Sequence, residues 1–271
     1  MDLLKETMVK LTDGVLNGKQ FPFRYYTAYE MIKTVSDSDE DKRMLILKTL
    51  EQCLKVSIQN MPVMSGKTIS LSDNSGSATG ALTSEYGTVH VSEIANLSSV
   101  FTAMNSDEGF VGIFGDRLEM FEVAKTDNVF NVVEKCNRIG KSIGGATENG
   151  IWLFFKNALL HKTVYDNIFI YSDQQAGHGG LYGTNTEARL YADFIYGHRG
   201  TYIDVLKLVT EYRKKVNPRV NVYTVQVAGY DNVVLPENLY RTSILSGWTG
   251  KETVYASNMA KIWDQIEQKN K

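Results

Sequence analysis

From Gly66 onward, short segments with an apolar period of two alternate with longer segments of helical period, and no other feature constrains the fold as strongly. Strands that alternate with helices are joined by crossovers, which produce a parallel sheet covered on both faces. Strands are expected at the run ending in Asp73, at 109–114 and 118–123, at 167–173, at 220–227 and near Ile244. The pair 109–114 and 118–123 is close enough to form an antiparallel hairpin turning at Gly115-Asp116. Helices are expected over 91–104, 129–143, 151–160, 187–194, 203–215 and 254–266. The expected fold class is α/β: a three-layer, Rossmann-like domain whose sheet is mostly parallel with one antiparallel edge strand. At 271 residues and 43% hydrophobic content, the chain can bury one large core and carry a small appendage.

The first sixty residues follow a different pattern, helical throughout. Leu3, Leu4, Met8 and Leu11 share the face of a helix that should stop near Gly14 to Gly18. A second helix follows Phe21-Pro22-Phe23 and carries Tyr25, Tyr26, Tyr29, Met31 and Ile32. Such an aromatic segment serves core packing more often than base stacking. A third helix begins after Ser36-Asp37-Ser38, with Ser38 and Asp41 spaced as a capping box, and places Leu47, Leu50 and Leu54 on one stripe. Residues 1–62 therefore form a short all-α segment, and residues 63–271 the α/β domain.

Charge and cysteine usage narrow the partners. Lys and Arg number 29 against 31 Asp and Glu, so no global positive field recruits nucleic acid or an anionic membrane. Contact with RNA would be local, and DNA is not expected. Cys53 and Cys136 lie far apart on helical segments, as buried apolar residues of a reducing compartment do, and the expected location is cytoplasmic. No segment has the length and apolarity of a bilayer span, so membrane insertion is not expected.

The strand ending at Asp73 runs into Asp73-Asn74-Ser75-Gly76-Ser77, a turn with one carboxylate and two hydroxyls at every second position. Hard divalent cations bind oxygen, keep several waters and take only one or two carboxylates from a protein. An ordinary Asx-type turn is the competing reading of this stretch taken alone. Two further turns weigh against it. Asp173 ends another strand, and Thr147 follows Gly144-Gly145 at a helix start. In open α/β sheets the binding crevice lies outside the carboxyl ends of the strands, where these three turns would converge. The four histidines, His90, His161, His178 and His198, show no i, i+4 pair of the kind that holds zinc on a helix. Gly177-His178-Gly179-Gly180 reads as a rim loop, Arg213-Lys214-Lys215 with Arg219 as a solvated helix end, and Tyr230 and Trp248 as buried aromatics.

Asp73-Asn74-Ser75-Gly76-Ser77, Thr147 and Asp173 together resemble the three loops of a metal-ion-dependent adhesion site in a von Willebrand factor A domain. The helical lead-in Phe21-Pro22-Phe23-Arg24-Tyr25-Tyr26-Thr27-Ala28, then Asn60-Met61-Pro62, Gly66-Lys67-Thr68 and Ser172-Asp173-Gln174-Gln175-Ala176-Gly177, resembles the Ro/TROVE family of RNA-binding proteins. The first resemblance covers 63–271; the second adds only the last helices of a TROVE, HEAT-like repeat region. The resemblance implies Ser75, Ser77 and Thr147 as direct or water-linked ligands of Mg²⁺, or of Mn²⁺ or Ca²⁺, with Asp73 and Asp173 as the retaining charge. It also implies a partner that completes the shell, either a protein carboxylate or a small structured or single-stranded RNA. The chain departs from the family at Ala78, where a methionine is common, and in the insertion-like stretch through His90. It carries too few helices to build the family's RNA-binding ring.

The expected function is therefore a non-enzymatic, cation-dependent binding module of a ribonucleoprotein. Two alternatives remain open. One is an assembly subunit with an incidental metal site; the other is a metal-dependent phosphodiesterase, for which His178 is the candidate base.

Overall fold

The computed structural model describes residues 2–20, 22–35, 39–82, 89–145, 147–174, 195–196, 202–229, 233–236, 238–248 and 250–270. The chain forms two compact units, Met1–Pro62 with Thr249–Val254, and Val63–Trp248 with Tyr255–Lys271.

The smaller unit contains α1 (Asp2–Gly18), α2 (Phe23–Lys33) and α3 (Glu40–Ile58). Val15, Cys53 and Val56 form its buried centre, with Leu11 and Tyr25 packed against them. Tyr25 thus belongs to a core, as the sequence suggests. Burial pushes the Cys53 thiol above its ordinary range, although the Thr12 hydroxyl lies 3.8 Å from the sulfur. The N-terminus of α3 differs from expectation. Its cap is Asp39, whose carboxylate accepts the Asp41 and Lys42 backbone N–H groups at 3.1 and 3.4 Å. In a run where every residue can cap, the acid one place closer to the helix prevails over the Ser38–Asp41 box.

The larger unit is built on a six-stranded sheet in the order β3-β2-β1-β4-β7-β8. Its strands are β1 (Met64–Asp73), β2 (Ser106–Phe114), β3 (Leu118–Val123), β4 (Asn167–Ser172), β7 (Asn221–Gln226) and β8 (Thr242–Ser246). Neighbours run parallel except β3, which pairs antiparallel with β2 as the hairpin spacing predicts. A separate two-residue ribbon joins β5 (Ile195–Tyr196) to β6 (Tyr202–Ile203). The helices are α4 (Gly76–Gly80), α5 (Val91–Met104), α6 (Val129–Gly140), α7 (Thr147–His161), α8 (Val205–Lys215) and α9 (Lys251–Lys269). The expected helix over 187–194 lies outside the described residues.

Each sheet face has its own core. Ile69, Leu71, Ile168, Ile170 and Val222 pack with Phe154 and Phe155 of α7 and Leu208, Val209 and Tyr212 of α8. Phe169, Tyr171, Tyr223 and Val225 face the other way, toward Val91, Ile94 and Ala95 of α5 and Ala256 of α9. Successive strand residues alternate between these faces, so a single register fixes both cores. Strand order reverses at β1, whose neighbours are β2 on one side and β4 on the other. The crevice of an open α/β sheet lies at such a switch point, outside the carboxyl ends of β1 and β4. Cys53 and Cys136 are free and buried. No described helix is long and apolar enough to cross a membrane.

Candidate metal centre

Asp73 is the last residue of β1, and Asp173 follows the last residue of β4. Because β1 and β4 are adjacent and parallel, with Ser72 opposite Tyr171, the two acids arrive side by side. Both are fully buried, Ser75 nearly so, and Ser77 partly. The Ser75 and Ser77 hydroxyls lie 3.2 Å apart. The glycine turn reaches the same place through its backbone, because the Gly76 N–H donates to the Gly145 carbonyl at 2.9 Å. Gly144 holds φ at +94°, a conformation that favours glycine. Thr147 then opens α7; its side chain lies outside the described residues.

Hydrogen bonds fix the acids from several sides. Asp73 Oδ1 accepts the Ser75 N–H at 2.9 Å, and Oδ2 accepts the Ser172 hydroxyl at 2.6 Å. The Ser172 oxygen accepts the Gln174 N–H at 2.9 Å. The Asp173 carbonyl accepts from Gln226 Nε2 at 3.0 Å, and Gln174 Oε1 accepts the Val234 N–H at 3.1 Å. Beneath the first turn, the Asn74 N–H donates to the Phe114 carbonyl at 2.8 Å. Asn96 Oδ1 accepts from Ser72 Oγ at 2.7 Å and from Asn74 Nδ2 at 2.8 Å, while its Nδ2 donates to Asn74 Oδ1 at 3.1 Å and Asn137 Oδ1 at 2.8 Å. All four hydrogen-bonding valences of this buried carboxamide are used, which ties β1, α5 and α6 together.

The electrostatics ask for a cation. Burial, and secondly the charge of Asp173, push the Asp73 carboxyl up from 3.8 to about 7, against the opposing pull of its bonds from Ser172 and Ser75. The groups that act on it most strongly, Asp173, Ser172 and Ser75, are anionic or neutral. Two buried like charges are costly unless a counter-ion joins them. The donor set is entirely oxygen, which suits Mg²⁺, Mn²⁺ or Ca²⁺ rather than a softer metal. Among the described residues no three His, Cys, Asp or Glu side chains converge to hold a metal. The residues present therefore fit a hard cation held by two acids and hydroxyls. Asp73, Asp173, Ser75 and Ser77 would hold it, with Thr147 at the adjoining helix start.

Ser172 and Gln174 stand out in the sequence only as part of the segment that resembles the Ro/TROVE family, with no role at the site, and Gln226, Asn96 and Asn137 do not stand out at all. One signal is present for Asn96, a poor helix former in the interior of a helix that runs from Val91 to Met104. Other expectations resolve differently. Arg213 is not part of a solvated helix end: Nη2 turns inward to the Val220 and Arg241 carbonyls and Thr242 Oγ1 at 3.3, 2.9 and 3.0 Å, and burial pushes its pKa down to about 10. Lys214 and Lys215 do face solvent. Arg219 is paired with Asp264 and Glu267 at 2.9 and 2.8 Å. His90 precedes α5, where its N–H donates to Glu93 at 3.0 Å. Trp248 packs against the second core. His178, His198, Tyr230 and the loop 177–180 lie outside the described residues. Ala78, at the position where the family commonly has methionine, is fully buried in that same core.

A parallel sheet with one antiparallel edge strand, helices on both sides and an oxygen-bearing crevice at the β1–β4 switch point defines a von Willebrand factor A-like fold. The sequence matches no family model and no curated protein. Among solved structures, the fold is similar to the crystal structure of the Ro (RSR) protein of Deinococcus radiodurans, with a TM-score of 0.66 at 11% identity over 94% of this chain and 48% of that one. The chain thus spans about half the length of that protein, and the likeness is one of fold.

Proposed function

We propose that the chain is a divalent-cation-dependent binding module of Ro/TROVE type, working within a cytoplasmic ribonucleoprotein and binding rather than turning over its partner. The observation that carries this reading is the pair of buried acids at the β1–β4 switch point, one of them held by the Ser172 hydroxyl, with two serine hydroxyls 3.2 Å apart beside them. The fold likeness to a Ro protein supports the ribonucleoprotein setting. A bound Mg²⁺ supplies positive charge and an open position for an incoming oxyanion, either a carboxylate of a protein partner or a phosphate of RNA. The chain's own residues hold the cation, keep Asp73 and Asp173 in register, and anchor the first turn to α5 and α6.

The test has two arms. Mg²⁺ should raise the melting temperature of the chelator-stripped protein and leave Asp73→Ala unmoved; equal behaviour of the two proteins rejects the site. Capture from native lysate with and without EDTA, followed by analysis of RNA and protein, then distinguishes a phosphate partner from a carboxylate one.

A second reading, an assembly subunit with an incidental site, has its own supporting observation. In the helical unit, Leu3, Val9 and Leu16 of α1 and Met31 of α2 are exposed at 76, 62, 53 and 66%, apolar surface that a partner could cover. Size-exclusion behaviour that changes on polar substitution of Val9 and Leu16 but not of Asp73 would favour it.

A further inference from the structure

Ser172 stands where three groups of the carboxyl edge meet, and no apolar contact explains its identity. It is fully buried. Its Oγ donates to Asp73 Oδ2 at 2.6 Å, accepts the Gln174 N–H at 2.9 Å and lies 3.5 Å from Asp173 Oδ1. A hydroxyl has one proton and two lone pairs. The short contact uses the proton, and the Gln174 amide occupies one lone pair, so the hydroxyl is oriented from both sides. With Oδ1 held by the Ser75 N–H and Oδ2 by Ser172, the Asp73 carboxylate is fixed from both sides.

The backbone around Ser172 is fixed to the same end. Gln174 holds φ at +63°, a region uncommon for a residue with a side chain, and persists there because its Oε1 is bonded to the Val234 N–H. Gln226 holds the Asp173 carbonyl from the neighbouring strand. The turn is thus secured on the side away from Asp73, and toward Asp73 the Ser172 hydroxyl adds a side-chain link beyond the β1–β4 ladder.

We infer that Ser172 is the positioning residue of the metal centre: its hydroxyl donates to Asp73 and accepts from the Gln174 N–H, holding Asp73 to the turn that carries Asp173, so that both acids meet a single cation. The inference rests on the metal-centre reading above. It assigns to Ser172 no contact with the cation. Outer-shell partners of metal ligands commonly contribute about 10- to 100-fold in affinity.

The experiment is calorimetric titration of Mg²⁺ into the chelator-stripped full chain, with the metal-free melting temperature measured in parallel. Ser172→Ala should bind Mg²⁺ about tenfold more weakly. Ser172→Cys, nearly isosteric but a weak donor, should do the same and carries the test if the alanine variant does not fold. Ser172→Thr, which keeps a hydroxyl, should retain the wild-type affinity. A merely structural serine would lower the metal-free melting temperature and leave Mg²⁺ affinity unchanged, and that outcome overturns the inference while leaving the metal centre standing. Equal loss in Ser172→Thr and Ser172→Ala also overturns it, since the hydroxyl would not be what matters. A wild-type chain that binds no Mg²⁺ removes the metal-centre reading and this inference with it.

Discussion

At the amino edge of the sheet, where β7 and β8 begin, the Arg241 guanidinium is buried and meets two carboxylates. Its Nε donates to Glu267 at 2.6 Å and to the Tyr240 hydroxyl at 3.2 Å, its Nη1 to Asn221 at 3.0 Å, and its Nη2 to Asp264. Arg219 pairs with the same two acids from the solvent side. At the carboxyl edge, where β1 and β4 end, Asp73 and Asp173 are buried together and the donors that reach Asp73 are neutral. Hydrogen bonds from Arg241, first among the causes, pull Glu267 down to about 2, whereas burial pushes Asp73 up to about 7. The same sheet thus sets arginines against carboxylates at one edge and buries two carboxylates together at the other. That asymmetry separates an edge whose acids meet cations of the chain itself from the edge at which the proposed cation would bind.

The largest expected effect would break the stable side of this comparison. Arg241→Ala removes a buried cation, deprives Asn221 Oδ1 of the guanidinium and leaves Asp264 and Glu267 with Arg219 as their arginine partner, and stability should fall by about 3 kcal/mol in urea denaturation. A loss under about 1 kcal/mol would mean that the amino edge is solvent-screened like an ordinary surface pair.

A somewhat smaller effect belongs to the support of the ligand edge. A methyl group on Gly140 of α6 would land on Asn74 Oδ1, so Gly140→Ala must displace either the helix or the first turn. Overpacking of this kind costs about 2 kcal/mol. Mg²⁺ affinity should fall with it, because the carboxamide ladder from Asn137 through Asn96 to Asn74 would be disturbed. Unchanged affinity in a folded variant would show that the turn keeps its geometry without α6.

The contrast between the edges also marks what can be read from sequence. Asp73 and Asp173 are legible because a strand's period of two and an abrupt polar turn are local signals. The antiparallel placement of β3 follows from the short Gly115-Asp116 turn, equally local. Ser172 is a different case. Its bond to Asp73 crosses 99 residues of sequence, and Asn96 reaches Asn137 across 41. Pairings of that kind exist only once strand order and helix rotation are fixed. Arg213 teaches the same lesson: a basic helix end looks solvated until β8 supplies the acceptors that draw one guanidinium inward. The cap of α3 falls one residue beyond the expected Ser38 because Ser36-Asp37-Ser38-Asp39 offers four residues able to cap.

Removing charge at the ligand edge should have the opposite sign to removing it at the amino edge. Asp73→Asn relieves a like-charge pair while keeping an acceptor for the Ser75 N–H, so the metal-free protein should gain about 1 kcal/mol. It should also lose its response to Mg²⁺. A metal-free loss of stability, as large as that in Arg241→Ala, would place Asp73 in a structural network and erase the distinction between the two edges.

The smallest effect sharpens the amino edge through pH. Glu267 has a folded pKa of about 2 against an ordinary 4.5, drawn down by hydrogen bonds from Arg241 and Tyr240. A carboxyl with a depressed folded pKa contributes stability that is present above the unfolded value and lost as pH falls through the folded one. Its contribution should therefore be complete above pH 4.5 and disappear toward pH 2. Glu267→Gln should flatten that acid limb while leaving Mg²⁺ affinity at the opposite edge as it was. Because Arg219 and Arg241 keep Asp264 as a shared partner, the change is modest near neutral pH and is read in the slope of stability between pH 4.5 and 2. An acid limb identical in wild type and Glu267→Gln would mean that the arginines neutralise Asp264 alone, and the amino edge would owe its stability to one shared acid rather than two.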